Sequence, residues 1–166
     1  MSLNSFDAND ITFGPGPFDV DGETFSVFAG YNFAVSQFIL GVELSYNFGG
    51  MAGDDGSFMN PFEVDSTFQA EVRAGYALDN VLPYLTVGVV SSDFFSNHGG
   101  FGAANQNFTG YSVGVGVDYG ATDQIVIRAE IEQVMYDTDN FDFGGGDLHE
   151  FEIDGTRFTL GAAFRF

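Results

Sequence analysis

Residues 157–166, at the end of the chain, read R-F-T-L-G-A-A-F-R-F. Apolar side chains take every second position from Phe158 to Phe166, whereas Arg157, Arg165 and small or hydroxyl residues take the positions between them. Because successive side chains of a β-strand point to opposite faces, this stretch predicts a strand with one apolar and one polar face. A soluble domain would bury the apolar face, and a membrane barrel would turn it towards lipid.

The same alternation recurs along the chain and predicts seven strands. They lie near residues 23–33, 38–48, 68–78, 82–94, 111–120, 125–136 and 157–166. The connections alternate between short turns and long loops rich in Gly, Asp and Asn, and no helical period interrupts them. Short turns at one end and long loops at the other are typical of an up-and-down antiparallel barrel in the outer membrane.

The position of the charges decides which face points outward. The strand glycines and all the strand charges fall on the less apolar face. Small residues suit the interior of a narrow barrel, and hydrocarbon penalises a charged side chain by about 2–4 kcal/mol. We therefore predict an all-β transmembrane β-barrel whose lumen is plugged by Arg/Glu pairs rather than open. The predicted lumen charge network comprises Glu43, Glu71, Arg73, Asp118, Arg128, Glu130, Glu132, Arg157 and Arg165.

The composition excludes several classes of function. The chain has 166 residues, 24 acids and four bases, all of them Arg, and therefore a formal charge of −20. Such a balance argues against nucleic acid as a partner, because phosphate contacts need cationic patches. The absence of Cys removes disulfides and thiol chemistry. No apolar run reaches the roughly 20 residues that a membrane helix needs.

The beginning of the chain does not fit the strand pattern. Residues 1–22 predict an acidic, Gly/Pro-rich segment or loop, with the barrel domain at residues 23–166. Barrels of this class normally have an even number of strands. We therefore expect nominally eight strands with the first missing or truncated, replaced by a remnant near Leu3–Phe13 or by another chain. No signal peptide opens the sequence, which suggests a mature or partial form.

Several short motifs resemble one family. They are Val72-Arg73-Ala74-Gly75-Tyr76-Ala77, Leu82-Pro83-Tyr84, Arg128-Ala129-Glu130 and the terminal Phe166. Together they are similar to the small outer-membrane barrels of the opacity-protein and outer-membrane-protein-A type, in the proteobacterial surface-antigen branch. This resemblance implies the outer membrane of a Gram-negative bacterium, surrounded by membrane lipid and lipopolysaccharide. It also implies an assembly signal for the outer-membrane assembly machinery at Phe158, Leu160, Phe164 and Phe166.

For function we expect a non-enzymatic protein of the cell envelope, without cofactor or metal site, whose acidic loops serve adhesion or recognition. The alternatives are a narrow porin-like channel for water or small ions, and a soluble lipocalin-like ligand-binding barrel. His98 and His149 fall in predicted loops, without the fixed spacing of a catalytic motif. Divalent cations are candidate partners of the acidic loops. The acids concerned are Asp19, Asp21, Glu23, Asp54, Asp55, Asp137, Asp139 and Asp142.

Overall fold

The computed structural model describes residues 1–10, 18–53, 59–98, 102–137, 139–142 and 148–166. These residues form nine β-strands: β1 (Ser2–Asp10), β2 (Phe18–Val35), β3 (Phe38–Gly53), β4 (Met59–Tyr76), β5 (Val81–His98), β6 (Gly102–Gly120), β7 (Ile125–Tyr136), β8 (Asp139–Asp142) and β9 (Leu148–Phe164). Within this part of the chain there is no helix that is long and apolar enough to cross a membrane.

Eight of the strands close into one antiparallel barrel. Each strand from β1 to β7 pairs with the next along the chain, β9 follows β7, and β1 pairs with both β2 and β9. The short β8 pairs with the beginning of β9 alone. Two of the tight turns contain a residue in the left-handed region, Ser36 at φ 59° and Asp79 at φ 53°. The predicted all-β, up-and-down barrel is confirmed.

The first strand is not missing, because the remnant predicted near Leu3–Phe13 is present as a short strand. Residues 2–10 form β1, which pairs with β2 from Ser2–Thr24 to Ala8–Phe18 and with β9 from Ser2–Thr159 onward. The remnant near the beginning of the chain therefore closes the barrel. The segment predicted as a loop over residues 1–22 also includes the beginning of β2, whereas residues 11–17 lie outside the described residues.

A gap in the strand pairing lies between β2 and β9 below β1, on the side of the short turns. Residues 25–35 of β2 pair with β3 alone, and β9 beyond Leu160 pairs with β7 alone. In the described chain, no strand lies between these two edges. A cavity of about 1210 Å³ opens here and at the short-turn end, and it reaches inward to Glu43, Arg73, Asp118 and Arg128.

The outer face of the barrel is apolar, as the alternation predicts. Val27, Leu40, Leu85, Val115 and Ile127 are all exposed and point away from the lumen. Aromatic side chains form a girdle at each edge of this band. The girdle beside the short turns contains Tyr31, Phe33, Phe38, Tyr76 and Tyr119, and the other contains Phe25, Phe48, Phe68, Tyr111 and Phe158. Such girdles mark the two membrane interfaces. The alternative of a soluble barrel, which would place the apolar face inside, is wrong.

Beyond the girdle at the loop end, the pattern reverses, so that apolar side chains point inward and polar side chains point outward. On β5, Val87 and Val89 point outward, but beyond them Val90 and Phe94 point inward and are buried, while Asp93 is exposed. The same change occurs on β6, where Phe108 is fully buried and Thr109 is exposed. The strands are longer than a bilayer requires, since about 9–11 residues span it. Their outer parts therefore stand in water and follow the apolar-inside pattern of a soluble protein.

Candidate functional site in the barrel lumen

Inward-facing charges occupy the middle of the lumen, above the cavity at the short-turn end. Eight of the nine residues of the predicted lumen network are buried there, namely Glu43, Glu71, Arg73, Asp118, Arg128, Glu130, Glu132 and Arg157. They come from β3, β4, β6, β7 and β9, where strand alternation turns every second residue inward. The ninth, Arg165, is exposed at the short-turn rim and donates hydrogen bonds to the backbone carbonyl of Asp123.

The lower network consists of Glu43, Arg73, Asp118 and Arg128, and it balances two cations against two anions. Arg128 donates from Nη1 to both Glu43 oxygens at 2.6 and 2.9 Å. It also donates from Nε to Asp118 Oδ1 at 2.9 Å. Arg73 Nη1 lies 3.0 Å from Asp118 Oδ2 and 3.9 Å from Glu43 Oε2. Both arginines therefore contact both carboxylates.

Aromatic rings hold the lower network in place. Arg73 and Arg128 lie over the ring of Tyr84, at 5.0 and 5.5 Å from its centre, and Arg128 also lies 4.8 Å from the ring centre of Phe28. Cations at such distances are attracted to the ring face. The Tyr84 hydroxyl donates to Glu130 Oε2 at 2.6 Å, and so connects the lower network to the next layer.

The upper network surrounds Gln69 and contains Asn4, Gln69, Glu71, Glu132 and Arg157. The Gln69 amide accepts a hydrogen bond from Arg157 at 2.6 Å and donates to Glu132 at 2.7 Å and to Glu71 at 3.0 Å. Arg157 also contacts Glu132 at 3.6 Å and donates to Asn4 at 3.3 Å. One neutral side chain thus joins two carboxylates to a cation.

An apolar cap lies in the lumen above these networks. It consists of Phe6, Ala8, Val20, Met51, Val64, Val90, Phe94, Phe108, Val134, Tyr136 and Ile153. Three of its rings meet edge to face, with ring centres 4.9 Å apart for Phe94 and Phe108 and 5.4 Å apart for Phe94 and Tyr136. The Tyr136 hydroxyl shares a 2.7 Å hydrogen bond with Ser92 at the boundary with the polar layers.

The lumen contains groups that the sequence pattern did not single out. Gln69 and Asn4 are neutral, and no charge marks them in the alternation. The sequence also gives no direct sign that Tyr84 contacts two arginines. The inward positions of Val134 and Tyr136 follow from the alternation, and they were the available sign that the lumen becomes apolar at the loop end.

The other sequence candidates lie elsewhere. Asp19, Asp21 and Glu23 belong to β2 rather than to a loop, and all three are exposed. The backbone of His98 ends β5, and that of His149 lies in β9. Asp54 and Asp55 are outside the described residues. The predicted assembly-signal residues Phe158, Leu160, Phe164 and Phe166 are exposed on the outer face, and their role stays a prediction.

Comparison with known proteins places this barrel in a family. The family described as "Outer membrane protein beta-barrel domain" matches residues 2–166. The 25 kDa outer-membrane immunogenic protein of Brucella melitensis is 31% identical over 143 residues, covering 84% of this chain and 63% of that protein. The chain thus spans just under two thirds of this relative's length. The 22 kDa outer membrane protein of Rhizobium leguminosarum bv. viciae is 27% identical over 158 residues, covering 92% and 74%.

Solved structures share the architecture at low sequence identity. Ail of Yersinia pestis has a TM-score of 0.55 at 13% identity and covers 99% of this chain and 95% of its own. Neisserial surface protein A has a TM-score of 0.51 at 13% identity, with coverage of 95% and 92%. Similarity at this level supports the fold alone. The match over residues 2–166, on a barrel with a lipid-facing outer surface, shows that the chain belongs to the outer membrane protein beta-barrel domain family and lies in the outer membrane of a Gram-negative bacterium.

Proposed function

We propose that this protein is a non-enzymatic, surface-exposed component of the envelope whose lumen is plugged. The observation that carries the proposal is the lumen itself. Arginine and carboxylate side chains cross its middle, and the apolar cap, with Phe108 fully buried, lies above them. An eight-stranded barrel is just wide enough for such side chains to fill it. A filled lumen supports a structural role better than transport.

The outer surface supports recognition of cationic partners. Above the second girdle, the outward-facing side chains include the acids Asp7, Asp19, Asp21, Glu23, Asp65, Asp93, Asp137, Glu152 and Asp154. Three of the four bases are buried in the lumen, and Arg165 lies at the opposite rim. Of the described residues, therefore, no Lys or Arg offsets these acids. The structurally similar Ail has been solved in complex with the heparin analogue sucrose octasulfate, and an acidic surface would repel such a polyanion.

The environment of the outer membrane makes divalent cations natural partners of this surface. Carboxylate oxygens are ligands that such ions prefer. Bound divalent cations would let the acidic strand ends approach anionic lipopolysaccharide.

The aromatic terminal strand, with Phe164 and Phe166 exposed, supports recognition by the outer-membrane assembly machinery.

A narrow channel is the second candidate, and one observation favours it. The cavity of about 1210 Å³ at the short-turn end reaches the lower network from below. A conducting form would need a path through both networks and the apolar cap.

Conductance of the purified protein in planar bilayers separates the two proposals. We expect no stable openings from the wild-type protein. Stable, large openings that persist across preparations would overturn the plugged lumen.

A binding assay on whole cells, comparing a cationic peptide with heparin at low and high salt, tests the acidic surface. Binding of heparin in preference to the peptide would contradict recognition of cations.

A further inference from the structure

A hydrogen-bonded group of polar side chains lies on the outer face of the barrel, beyond the aromatic girdle at the loop end. Ser91 Oγ on β5 donates to Asn107 Oδ1 on β6 at 2.9 Å. Asn107 Nδ2 in turn donates to Asp93 Oδ1 on β5, also at 2.9 Å. Ser66 on β4 donates to the second Asp93 oxygen at 3.3 Å. We call these four residues the first relay.

A second group repeats the same order of chemical groups on another pair of strands. Thr156 Oγ1 on β9 donates to Gln133 Oε1 on β7 at 3.0 Å, and Gln133 Nε2 donates to Asp154 Oδ2 at 3.3 Å. We call Thr156, Gln133 and Asp154 the second relay. In each relay a hydroxyl orients an amide, and the amide holds a carboxylate. Two separate parts of the wall therefore present one arrangement to the outside.

Both relays lie at the level of the lipid headgroups. Ser66 is two positions beyond the girdle residue Phe68, and Thr156 is two positions beyond Phe158. Because aromatic girdles mark the membrane interface, the first polar side chains beyond them contact the headgroups of the outer leaflet. The hydrogen bonds of both relays are exposed, and a headgroup can therefore reach them.

The relays keep hydrogen-bonding capacity on their outer side. A side-chain amide carries two N–H groups, and each relay uses one of them, on Asn107 or on Gln133. A carboxylate has about four acceptor sites, and most of those on Asp93 and Asp154 remain free within the relays. Each relay thus offers a donor beside acceptors. A sugar hydroxyl both donates and accepts, so neighbouring hydroxyls of a sugar ring match this pair.

The charge of the relays favours a sugar over a phospholipid. A phospholipid carries its phosphate in the headgroup, where Asp93 and Asp154 would repel it. Neither Lys nor Arg lies on the outer face at the loop end in the part of the chain that the structure describes, so nothing offsets this repulsion. A sugar presents uncharged hydroxyls at the same level. In the outer membrane, lipopolysaccharide supplies such sugars.

We propose that the two relays bind the sugar headgroup of lipopolysaccharide by direct hydrogen bonds. The bonds within each relay orient its amide and carboxylate before a sugar arrives, which lowers the entropic cost of binding. This inference rests on the proposed surface-exposed role in the envelope. It requires neither a bridging divalent cation nor a cationic partner.

The wild-type protein provides the first test. Refolded protein in an amine-oxide detergent, which contains no sugar, is titrated with lipopolysaccharide or with phosphatidylglycerol. EDTA is present throughout to remove divalent cations, and circular dichroism follows thermal unfolding. We expect lipopolysaccharide to raise the melting temperature in a saturable way, because it binds the folded state, and phosphatidylglycerol to leave it unchanged.

Variants without the amides test the relays themselves. Asn107→Val/Gln133→Val removes both amides and places a residue that suits a strand at each position. We expect the concentration of lipopolysaccharide that gives half of the rise to increase at least about tenfold, because hydrogen bonds are lost from both relays. The control Thr109→Val removes an exposed hydroxyl of β6 that belongs to neither relay, and it should leave this concentration unchanged.

Three results would overturn the proposal. The first is the absence of a rise with lipopolysaccharide in EDTA; if added calcium restored the rise, bridging ions on the acidic surface would be responsible. The second is an equal rise with phosphatidylglycerol. The third is an unchanged half-saturation in the Asn107→Val/Gln133→Val variant, which would mean that the relays only join strands. None of these results bears on the plugged lumen or on cationic partners, which conductance and peptide binding test separately.

Discussion

Arg128 Nη1 lies 2.6 Å from Glu43 Oε1, although 85 positions separate the two residues along the chain. The bond joins β7 to β3 across the lumen rather than around the wall. Arg128 also bonds Asp118 on the neighbouring β6. One guanidinium group therefore couples three strands through the interior, in addition to the backbone hydrogen bonds that every barrel has.

Replacing Arg128 should destabilise the barrel. In the Arg128→Met variant, Glu43 and Asp118 each lose a cation while they remain buried, and we expect a loss of about 3–5 kcal/mol in the free energy of unfolding. Urea titration of the refolded protein in detergent measures it. The control is Arg165→Met, which removes an exposed cation and should change stability by less than about 0.5 kcal/mol. Equal stability of the two variants would contradict a structural role for the lower network.

Gly116 should be intolerant of a side chain. A Cβ atom at this position would collide with the ring of Tyr84, which lies under two arginines and bonds to Glu130. We expect Gly116→Ala to cost about 1–3 kcal/mol of unfolding free energy, as overpacking in a filled interior does. Thermal unfolding followed by circular dichroism measures the effect.

Gly161 provides the matched control. It also lies on the lumen face of a strand, but a Cβ atom added to it would meet Phe28 Cε1 at 3.8 Å, an ordinary contact. Gly161→Ala should therefore be neutral or slightly stabilising, since it reduces the freedom of the unfolded chain. If both alanine variants lose stability alike, the crowding around Tyr84 is not the cause.

The lipid-facing half of this fold could be predicted from the sequence because lipid imposes one rule at every position. Leu85, Val87 and Val89 had to point outward, and the glycines and charges had to point inward. The inward positions of the lumen charges followed from the same rule. The partners of these charges could not be predicted in this way, because the contacts across the lumen depend on the tilt and stagger of the strands. Gln69, which bonds three of them, carries no charge to reveal it.

The first strand could be predicted only as a remnant near Leu3–Phe13, because it crosses from one solvent into another. Leu3 faces outward at lipid level, whereas Ser5 and Asp7 face outward in water, and Phe6 and Ala8 face inward into the apolar cap. Neither face is apolar along its whole length, and so the alternation that identified the other strands is not visible. The same change of surroundings explains why two apolar residues, Val89 and Val90, are adjacent on β5. At that point the apolar residues change from the outer face to the inner face.

The level at which the outer face changes from lipid to water can be tested on one strand. Val115 and Thr109 both point outward from β6, but Val115 lies between the girdles and Thr109 lies beyond Tyr111. Val115→Arg should destabilise the folded protein in lipid vesicles by about 2–4 kcal/mol, because the cation enters hydrocarbon. Thr109→Arg should change the unfolding free energy by less than about 0.5 kcal/mol, because its side chain remains in water. Urea titration in vesicles measures both variants. A cost at Thr109 as large as that at Val115 would place the membrane boundary further towards the loops, and the apolar cap would then lie within the bilayer.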